Sequence, residues 1–218
     1  MEKKEILPVL KQIRENSKKR KFKQKLDLIF NLKDIDIKKT EEQNDFFITL
    51  PHSCGKKMKV CALVGPELRD EAQKECDSIV IVDDFDKYQR DKKIVRKLAD
   101  DNDVFIAQAN IMPRVAQAFG RVLGPKKKMP NPKAGCIVPP KAQLGPIVAK
   151  LQKQVRIAAK TSLTVQILIG NEDMTDDQLA ENIITLFNQV VHHLPKEKNN
   201  IKDMLLKMTM GAPVSIKI

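Results

Sequence analysis

The sequence predicts a two-domain fold, in which an α+β domain built from both ends of the chain carries an inserted α/β domain. Apolar and polar residues alternate in short runs near both termini, which is typical of strands with one buried face. The middle carries short, wholly apolar runs alternating with helices, which favours a parallel sheet covered on both sides. The front strands need partners, and the unclaimed strands lie at the back. We therefore expect residues 1–63 and 155–218 to form one domain, and residues 64–154 the other.

The front of the chain is predicted to form one helix and two strands. Apolar residues recur at helical spacing between Glu2 and Asn16. From Phe22 to Leu32 the period changes to two, which indicates a strand with basic residues at its entry and on its open face. Asp45 to Leu50 reads as a second short strand, which ends before Pro51.

The middle is predicted to be a Rossmann-like, three-layer block of parallel strands and helices. The predicted strands are Met58–Val64, Ser78–Val82, Asp103–Gln108 and a short piece at Cys136–Val138. The predicted helices are Pro66–Cys76, Asp86–Leu98, Met112–Val122 and Ala142–Val155. A loop dense in Pro, Gly and Lys separates the last two of these helices.

The back of the chain returns to the α+β pattern. Thr164 to Ile169 is predicted as a strand, and Thr175 with Gln178 forms a capping-box signature for a helix that runs to about His193. The chain then ends in two extended segments, which are Ile201–Met210 and Val214–Ile218.

The most unusual stretch is the basic run from Ser17 to Lys25, in which six of nine residues are cationic. The formal net charge of the chain is +12, and this run has no acid inside it to neutralise its cations. Charges taken out of water need counter-charges, so this run cannot be buried in the protein's own core. The neutralising group should therefore belong to another molecule, and a nucleic acid fits best. The alternative is a solvated basic helix end or a localisation signal.

Composition disfavours several other classes of protein. The eight Phe, one Tyr and absent Trp are too few for a surface that stacks many single-stranded bases. The four cysteines show no metal-ligand spacing with each other or with the three histidines, so we expect reduced thiols, no metal and no cofactor. No apolar run is long enough to span a membrane, and no cleavable signal is expected.

Two further segments resemble catalytic or nucleotide sites only weakly. The loop from Gly120 to Pro132 has the wrong spacing for a phosphate-binding P-loop and follows a helix instead of a strand. It is instead predicted to contact phosphate through its cations, the alternative being a solvated basic loop; those cations are Arg121, Lys126, Lys127, Lys128 and Lys133. His52 and Cys54 are close in sequence but have no orienting acid, so catalysis by this pair is disfavoured.

A set of short motifs is spread along the chain. The motifs are Lys21-Phe22, Leu50-Pro51-His52 with Gly55-Lys56, Gly120-Arg121-x-Leu123-Gly124-Pro125, Met129-Pro130-Asn131-Pro132, Gly170-Asn171-Glu172 and Lys207-x-Thr209-Met210-Gly211. Taken together, and over nearly the whole chain, they resemble the universal ribosomal protein L1 family of the large subunit in its archaeal form.

The resemblance implies a cytoplasmic, non-enzymatic ribosomal protein, monomeric when free. Its implied partners are the ribosome, ribosomal RNA of the mobile side stalk, tRNA leaving the exit site, and its own messenger RNA, whose translation it would repress. The implied RNA contacts are Arg20, Lys21, Phe22, Lys23, Lys25, Lys160, Lys207, Thr209, Met210 and Gly211, with the Gly124–Pro132 loop as a secondary contact. In this hypothesis the cations attract phosphates, Thr209 hydrogen-bonds to ribose or base, and Phe22 and Met210 exclude water.

Two other classes of function remain open from the residues alone. A small α/β transferase or nucleotide-dependent enzyme would use the inserted domain and should bind mononucleotides. A general basic chaperone or DNA-binding protein should bind duplex DNA as well as an RNA hairpin.

Overall fold

The computed structural model describes residues 3–36, 44–159 and 162–216. The chain divides into two units, which are called the terminal unit (Met1–Lys56 with Lys153–Ile218) and the central unit (Lys57–Gln152). In chain order the described helices and strands are α1 (Lys3–Asn16), β1 (Lys25–Leu32), β2 (Asn44–Thr49), β3 (Val60–Val64), α2 (Arg69–Glu75), β4 (Ser78–Ile81), α3 (Phe85–Arg90), α4 (Lys92–Asp101), β5 (Val104–Gln108), α5 (Met112–Leu123), β6 (Ile137–Val138), α6 (Leu144–Leu151), β7 (Gln154–Ala159), β8 (Thr164–Asn171), α7 (Asp176–His193), β9 (Ile201–Met208) and β10 (Val214–Ile216).

The terminal unit is built on an antiparallel sheet with the strand order β10-β9-β1-β8, next to a two-stranded sheet of β2 and β7. Front strands therefore pair with back strands. In β1 every second residue is buried, including Leu26, Leu28 and Phe30. These side chains pack in one core with the buried faces of α1 and α7, and each contributes roughly 1.5–3 kcal/mol. The alternation in the sequence thus determines which side of the sheet the helices cover.

The central unit is a parallel sheet with the order β4-β3-β5-β6. All five residues of β3 are buried, as expected for a strand covered on both faces. One face packs against α3, α4 and α5, where the rings of Phe85 and Phe119 meet edge to face at 5.2 Å. The predicted combination of a parallel α/β sheet and an antiparallel α+β sheet is confirmed.

Four details differ from the sequence prediction. Phe22 lies before β1, which begins at Lys25. The charged helix predicted over 86–98 is two helices, because Asp91 leaves helical geometry and its carboxylate accepts the backbone N–H of Lys93 at 2.8 Å. The last helix of the central unit, α6, ends at Leu151, and residues from Gln154 onward pair with β2 as β7. Because β3 pairs with β4 and β5, the central unit begins at Lys57, before the predicted limit of 64.

The cysteines lie in apolar surroundings that suppress ionisation. Burial raises the pKa of the Cys54 and Cys76 thiols to about 11 and that of Cys61 to about 12. Burial also raises the pKa of Cys136. All four are free thiols, so the thiolate, which is the reactive form, is scarce near neutral pH.

We therefore expect slow alkylation of the native protein. At pH 8 a thiol with a pKa near 11 is only about 0.1% ionised, against roughly a quarter for an unperturbed cysteine. Iodoacetamide should label Cys54 and Cys76 at least about 100-fold more slowly in the native chain than in denaturant. Mass spectrometry of peptides over time measures both rates. Labelling of either residue at the denatured rate would contradict this account.

Candidate nucleic-acid interface

The basic run leaves α1 and crosses the end of the antiparallel sheet before β1 begins. Its cations from Lys18 to Lys21 are exposed, and none forms a hydrogen bond through its charged group or an ion pair with another described residue. Phe22 is 50% exposed, which is unusual for a large apolar side chain. The segment therefore presents unneutralised positive charge beside an exposed aromatic ring.

Gln24 holds this segment in place, and the sequence analysis did not identify it. Its side chain is 2% exposed. The amide nitrogen donates to Ser17 Oγ at 3.0 Å and to the carbonyl of Lys18 at 3.2 Å. The amide oxygen accepts the N–H of Met210 at 3.3 Å, and the Gln24 carbonyl accepts the N–H of Glu172 at 3.0 Å. One buried residue thus connects three segments that are distant in sequence.

Thr209 lies directly against the start of β1. Its N–H donates to the Lys25 carbonyl at 3.0 Å. Its hydroxyl accepts the Lys25 N–H at 2.9 Å and lies 3.2 Å from the same carbonyl. The hydroxyl already has backbone partners, so its structural role is to extend the pairing of β1 with β9 by one residue.

Met210 and Gly211 form the turn after β9. The Gly211 N–H donates to the Met208 carbonyl at 3.0 Å, and the φ of Gly211 is outside the left-handed region. The turn itself therefore does not demand glycine, and the missing side chain leaves the backbone open to an approaching group. Met210 beside it is 60% exposed.

Arg14 and an acidic loop complete the surroundings. The Arg14 guanidinium donates to the Asp176 carboxylate at 2.7 Å and to the carbonyls of Glu172 and Met174 at 2.8 and 2.6 Å. These bonds join the end of α1 to the loop between β8 and α7. An open cleft of about 350 Å³ lies here. Its lining residues are Arg14, Ser17, Lys18, Lys19, Arg20, Gln24, Glu172 and Met208.

Carboxylates pair with some of the predicted cations or lie close to them. Lys23 forms an exposed ion pair with Asp173 at 2.6 Å, and this hydrogen bond raises the pKa of Lys23. Asp27 lies opposite Lys207 across the strand pair. Burial raises the pKa of Asp27, although Lys25 and Lys207 act in the opposite direction. Lys25 itself forms no ion pair with a described residue.

The structure thus brings together most of the predicted contact residues. Segments around Phe22 and Thr209, far apart in sequence, meet at Gln24 and Lys25. Lys160 lies outside the described residues. The sequence did not indicate Arg14, Gln24 or Glu172 as residues of this site. For Gln24 the reason is that a single Gln in a basic run carries no periodic signal. The motif Gly170-Asn171-Glu172 was noted only as part of the resemblance.

In the loop of the central unit that is predicted as a secondary RNA contact, only some of the cations are engaged by other described residues. The Lys128 ammonium donates to the carbonyls of Ala99 and Asn102, each at 2.7 Å, and so caps the end of α4. Lys126 forms an ion pair with Asp100. Arg121, Lys127 and Lys133 have no ion pair with another described residue. Only part of the loop's charge is therefore available to an external partner.

The edge of the parallel sheet where a nucleotide would bind is occupied by a side chain. In such sheets ligands bind at the carboxyl ends of two neighbouring strands whose following connections lead in opposite directions, here β3 and β5. The Gln108 side chain accepts the Gly65 N–H at 2.9 Å and lies 3.4 Å from Glu67 Oε2. Gln108 is 1% exposed and fills this crevice. This packing disfavours the nucleotide-dependent alternative.

The remaining candidate groups have structural partners. The expectation that no acid lies beside His52 is wrong, because its Nε2 contacts the Glu181 carboxylate at 2.8 Å. The Cys54 thiol instead donates to the Leu168 carbonyl at 3.3 Å, so the two side chains have different partners. The ring of His193 stacks on Phe46 at 3.9 Å. Within residues 3–36, 44–159 and 162–216, no group of three or more His, Cys, Asp or Glu residues is arranged to hold a metal ion. None of the helices in these ranges is both long and apolar enough to cross a membrane.

Comparison with known proteins gives a consistent result along the chain. A family model described as the Ribosomal protein L1p/L10e family matches residues 11–212. The large ribosomal subunit protein uL1 of Methanobrevibacter smithii is 38% identical over 97% of this chain and 98% of its own length. The uL1 proteins of Methanothermococcus thermolithotrophicus and Nanoarchaeum equitans are 36% and 41% identical, over 100% and 91% of this chain and over 100% and 93% of their own lengths, respectively. The similarity therefore spans both units.

Proposed function

The chain belongs to the ribosomal protein L1p/L10e family, and from this premise we propose that its terminal unit binds the ribosomal RNA of the mobile side stalk. As its relatives are proteins of the large ribosomal subunit, the chain is a structural component of that subunit and not an enzyme. Its place in the cell is then the cytoplasmic ribosome.

One observation carries the proposal, namely the meeting of the basic run with the Thr209–Gly211 turn around Gln24. The resulting surface combines unneutralised cations with two exposed apolar side chains, those of Phe22 and Met210. Cations alone would bind any polyanion. The apolar side chains and open backbone add contacts that depend on the shape of a folded RNA.

The roles of individual residues follow from their surroundings. Arg20, Lys21 and Lys25 attract phosphates, because no carboxylate pairs with them in the described chain. Thr209 acts through the strand pairing that positions the turn, because its hydroxyl is bonded to the backbone of Lys25. The backbone at Gly211 approaches ribose or base edges, while Phe22 and Met210 exclude water around these contacts.

Two further partners are part of the proposal. A messenger RNA that folds like the stalk RNA would compete for the same face, and this competition would repress translation of the protein's own message. The tRNA leaving the exit site would pass this part of the ribosome and contact the exposed cations, with Arg121, Lys127 and Lys133 of the central unit as additional contacts.

Filter binding across a salt series tests the proposed function. A hairpin derived from the stalk RNA should bind with submicromolar affinity, while mononucleotides should not bind. Duplex DNA of equal charge should bind more weakly, because its shape differs from that of a folded RNA. Equal affinity for DNA and the hairpin would indicate general polyanion binding and contradict the proposal.

Replacing Lys25 by glutamine should reduce the slope of log affinity against log salt by about one, because one phosphate contact is lost. Lys23→Gln should reduce it less, since Asp173 already pairs with this ammonium. Lys202→Gln is the matched control, because this exposed lysine lies at the opposite end of the same sheet. Equal changes from Lys25→Gln and Lys202→Gln would mean that only overall charge matters.

A further inference from the structure

We propose that the groove between α4 and α5 of the central unit binds the phosphate groups of an RNA strand. Two adjoining hollows of about 590 and 390 Å³ follow these helices. Lys92, Arg121 and Val122 line both hollows, so the two form one continuous groove. This inference goes beyond the stalk-RNA interface, which lies in the terminal unit, and it places Arg121, proposed above as a tRNA contact, in one groove with Lys92 and Arg96.

Three exposed cations face the groove without partners. Lys92 and Arg96 are four residues apart on α4, so they lie on one face of the helix, about 6 Å apart along its axis. Arg121 lines the groove from α5. None of the three forms an ion pair with another described residue. Like charges brought together in this way repel each other unless a bound anion neutralises them.

The acids of the central unit do not provide that neutralisation. Among the described residues that line the groove, the only carboxylate is that of Asp100, and Lys126 already pairs with it. The sequence contains no aspartate or glutamate between Asp103 and Glu172. Helix α5 and the loop after it therefore bring cations to the groove and no acid. We therefore expect an external polyanion to neutralise the surplus positive charge of the groove.

The chemistry of the groove favours RNA over an acidic peptide. Its walls are two helices, whose backbone groups are already hydrogen-bonded, so it offers no strand edge on which a peptide could pair. Besides its cations, the groove is lined by short aliphatic side chains such as Val95 and Ala118 and by the polar side chains of Gln89 and Gln117, with no aromatic ring among them. Contact with a sugar-phosphate backbone needs well-placed cations and hydrogen-bonding side chains, and both are present here.

This assignment also separates the groove from the neighbouring loop. Lys126 and Lys128 of the loop are engaged by Asp100 and by the end of α4. These two lysines join the loop to the end of α4, whereas Lys92, Arg96 and Arg121 remain available to a bound anion. The phosphate contacts inferred for the groove thus lie along the two helices.

Salt-dependent binding of an RNA hairpin of arbitrary sequence tests the inference. The full-length chain is used with its terminal basic run weakened by Arg20→Gln, Lys21→Gln and Lys25→Gln, so that contacts outside this run make up a larger share of the measured binding. In this background the groove variant is Lys92→Gln, Arg96→Gln and Arg121→Gln. The charge-matched control, from exposed lysines of the same unit outside the groove, is Lys74→Gln, Lys141→Gln and Lys150→Gln. Fluorescence anisotropy between about 50 and 200 mM KCl gives the affinities and slopes.

The groove variant should lower the salt slope by about two and the affinity at 50 mM by about tenfold, whereas the control should change the slope by less than about one. A conservative variant with Lys92→Arg, Arg96→Lys and Arg121→Lys should keep the slope. Equal losses in the groove and control variants would show that only the overall positive charge of the protein attracts the RNA, and would overturn the proposal. Displacement of the hairpin by polyglutamate of equal charge, at equal concentration, would overturn it in favour of an acidic peptide. A failure of stalk-RNA binding to respond to Lys25→Gln would affect only the terminal interface.

Discussion

Replacing Gln24 by leucine is expected to weaken binding of the stalk hairpin by about 10- to 100-fold and to lower the free energy of unfolding by about 2–3 kcal/mol. Leucine fits the buried position but cannot bond to Ser17, Lys18 or Met210. Each lost bond costs roughly 1 kcal/mol, and more where the partner cannot reach water. The basic run and the Thr209–Gly211 turn would then no longer be held in one arrangement, so the contacts that depend on RNA shape would be lost.

The salt slope distinguishes this effect from a loss of charge. Gln24→Leu removes no cation, so the slope should stay within about half a unit of its original value while the affinity falls. Gln166→Leu is the matched control, because it makes the same change at an exposed position of β8. Binding is measured at a temperature where circular dichroism shows both variants folded. An unchanged affinity, or a fall in slope of a full unit, would show that Gln24 does not organise the interface.

Most helices and strands could be predicted because their periodicity is local. The alternation of buried and more exposed residues along β1 and the capping box at Thr175 are both present in the structure, because burial and capping follow from neighbouring residues. The break between α3 and α4 could not be predicted from periodicity, because Asp91 lies within a charged run that continues the helical pattern. Capping by its carboxylate outweighs the weak preference for one longer helix.

The candidate site was predictable in composition but not in detail. Clustered cations indicated a polyanion, and strand pairing brought the two chain ends together. Which cations stay available depends on contacts across the fold. Lys23 pairs with Asp173 and Lys128 caps α4, while Lys25 and Lys127 remain unpaired among the described residues. Adjacent lysines look identical in a sequence, so only the folded chain separates structural from available charge.

Replacing Asn182 by leucine is expected to lower the free energy of unfolding of the terminal unit by about 3 kcal/mol. This side chain on α7 is fully buried. Its Nδ2 donates to the carbonyls of Ile169 at 2.9 Å and His52 at 3.2 Å, and its Oδ1 accepts the His52 N–H at 3.1 Å. Strand β8 is at the edge of its sheet, so without Asn182 these three backbone groups lose their partner, and the Ile169 carbonyl does so in a buried position.

Hydrogen exchange resolved by peptide locates the effect of Asn182→Leu. Because the substitution acts inside one unit, amides of β8 and α7 should exchange faster by about 100-fold, whereas amides of β3 and β5 should keep their rates. Asn188→Leu, an exposed change on the same helix, should leave both sets within about twofold. Faster exchange of equal size in β3 and β5 would mean that the two units unfold as one, and the amide of Asn182 would then support the whole chain instead of the edge of a single sheet.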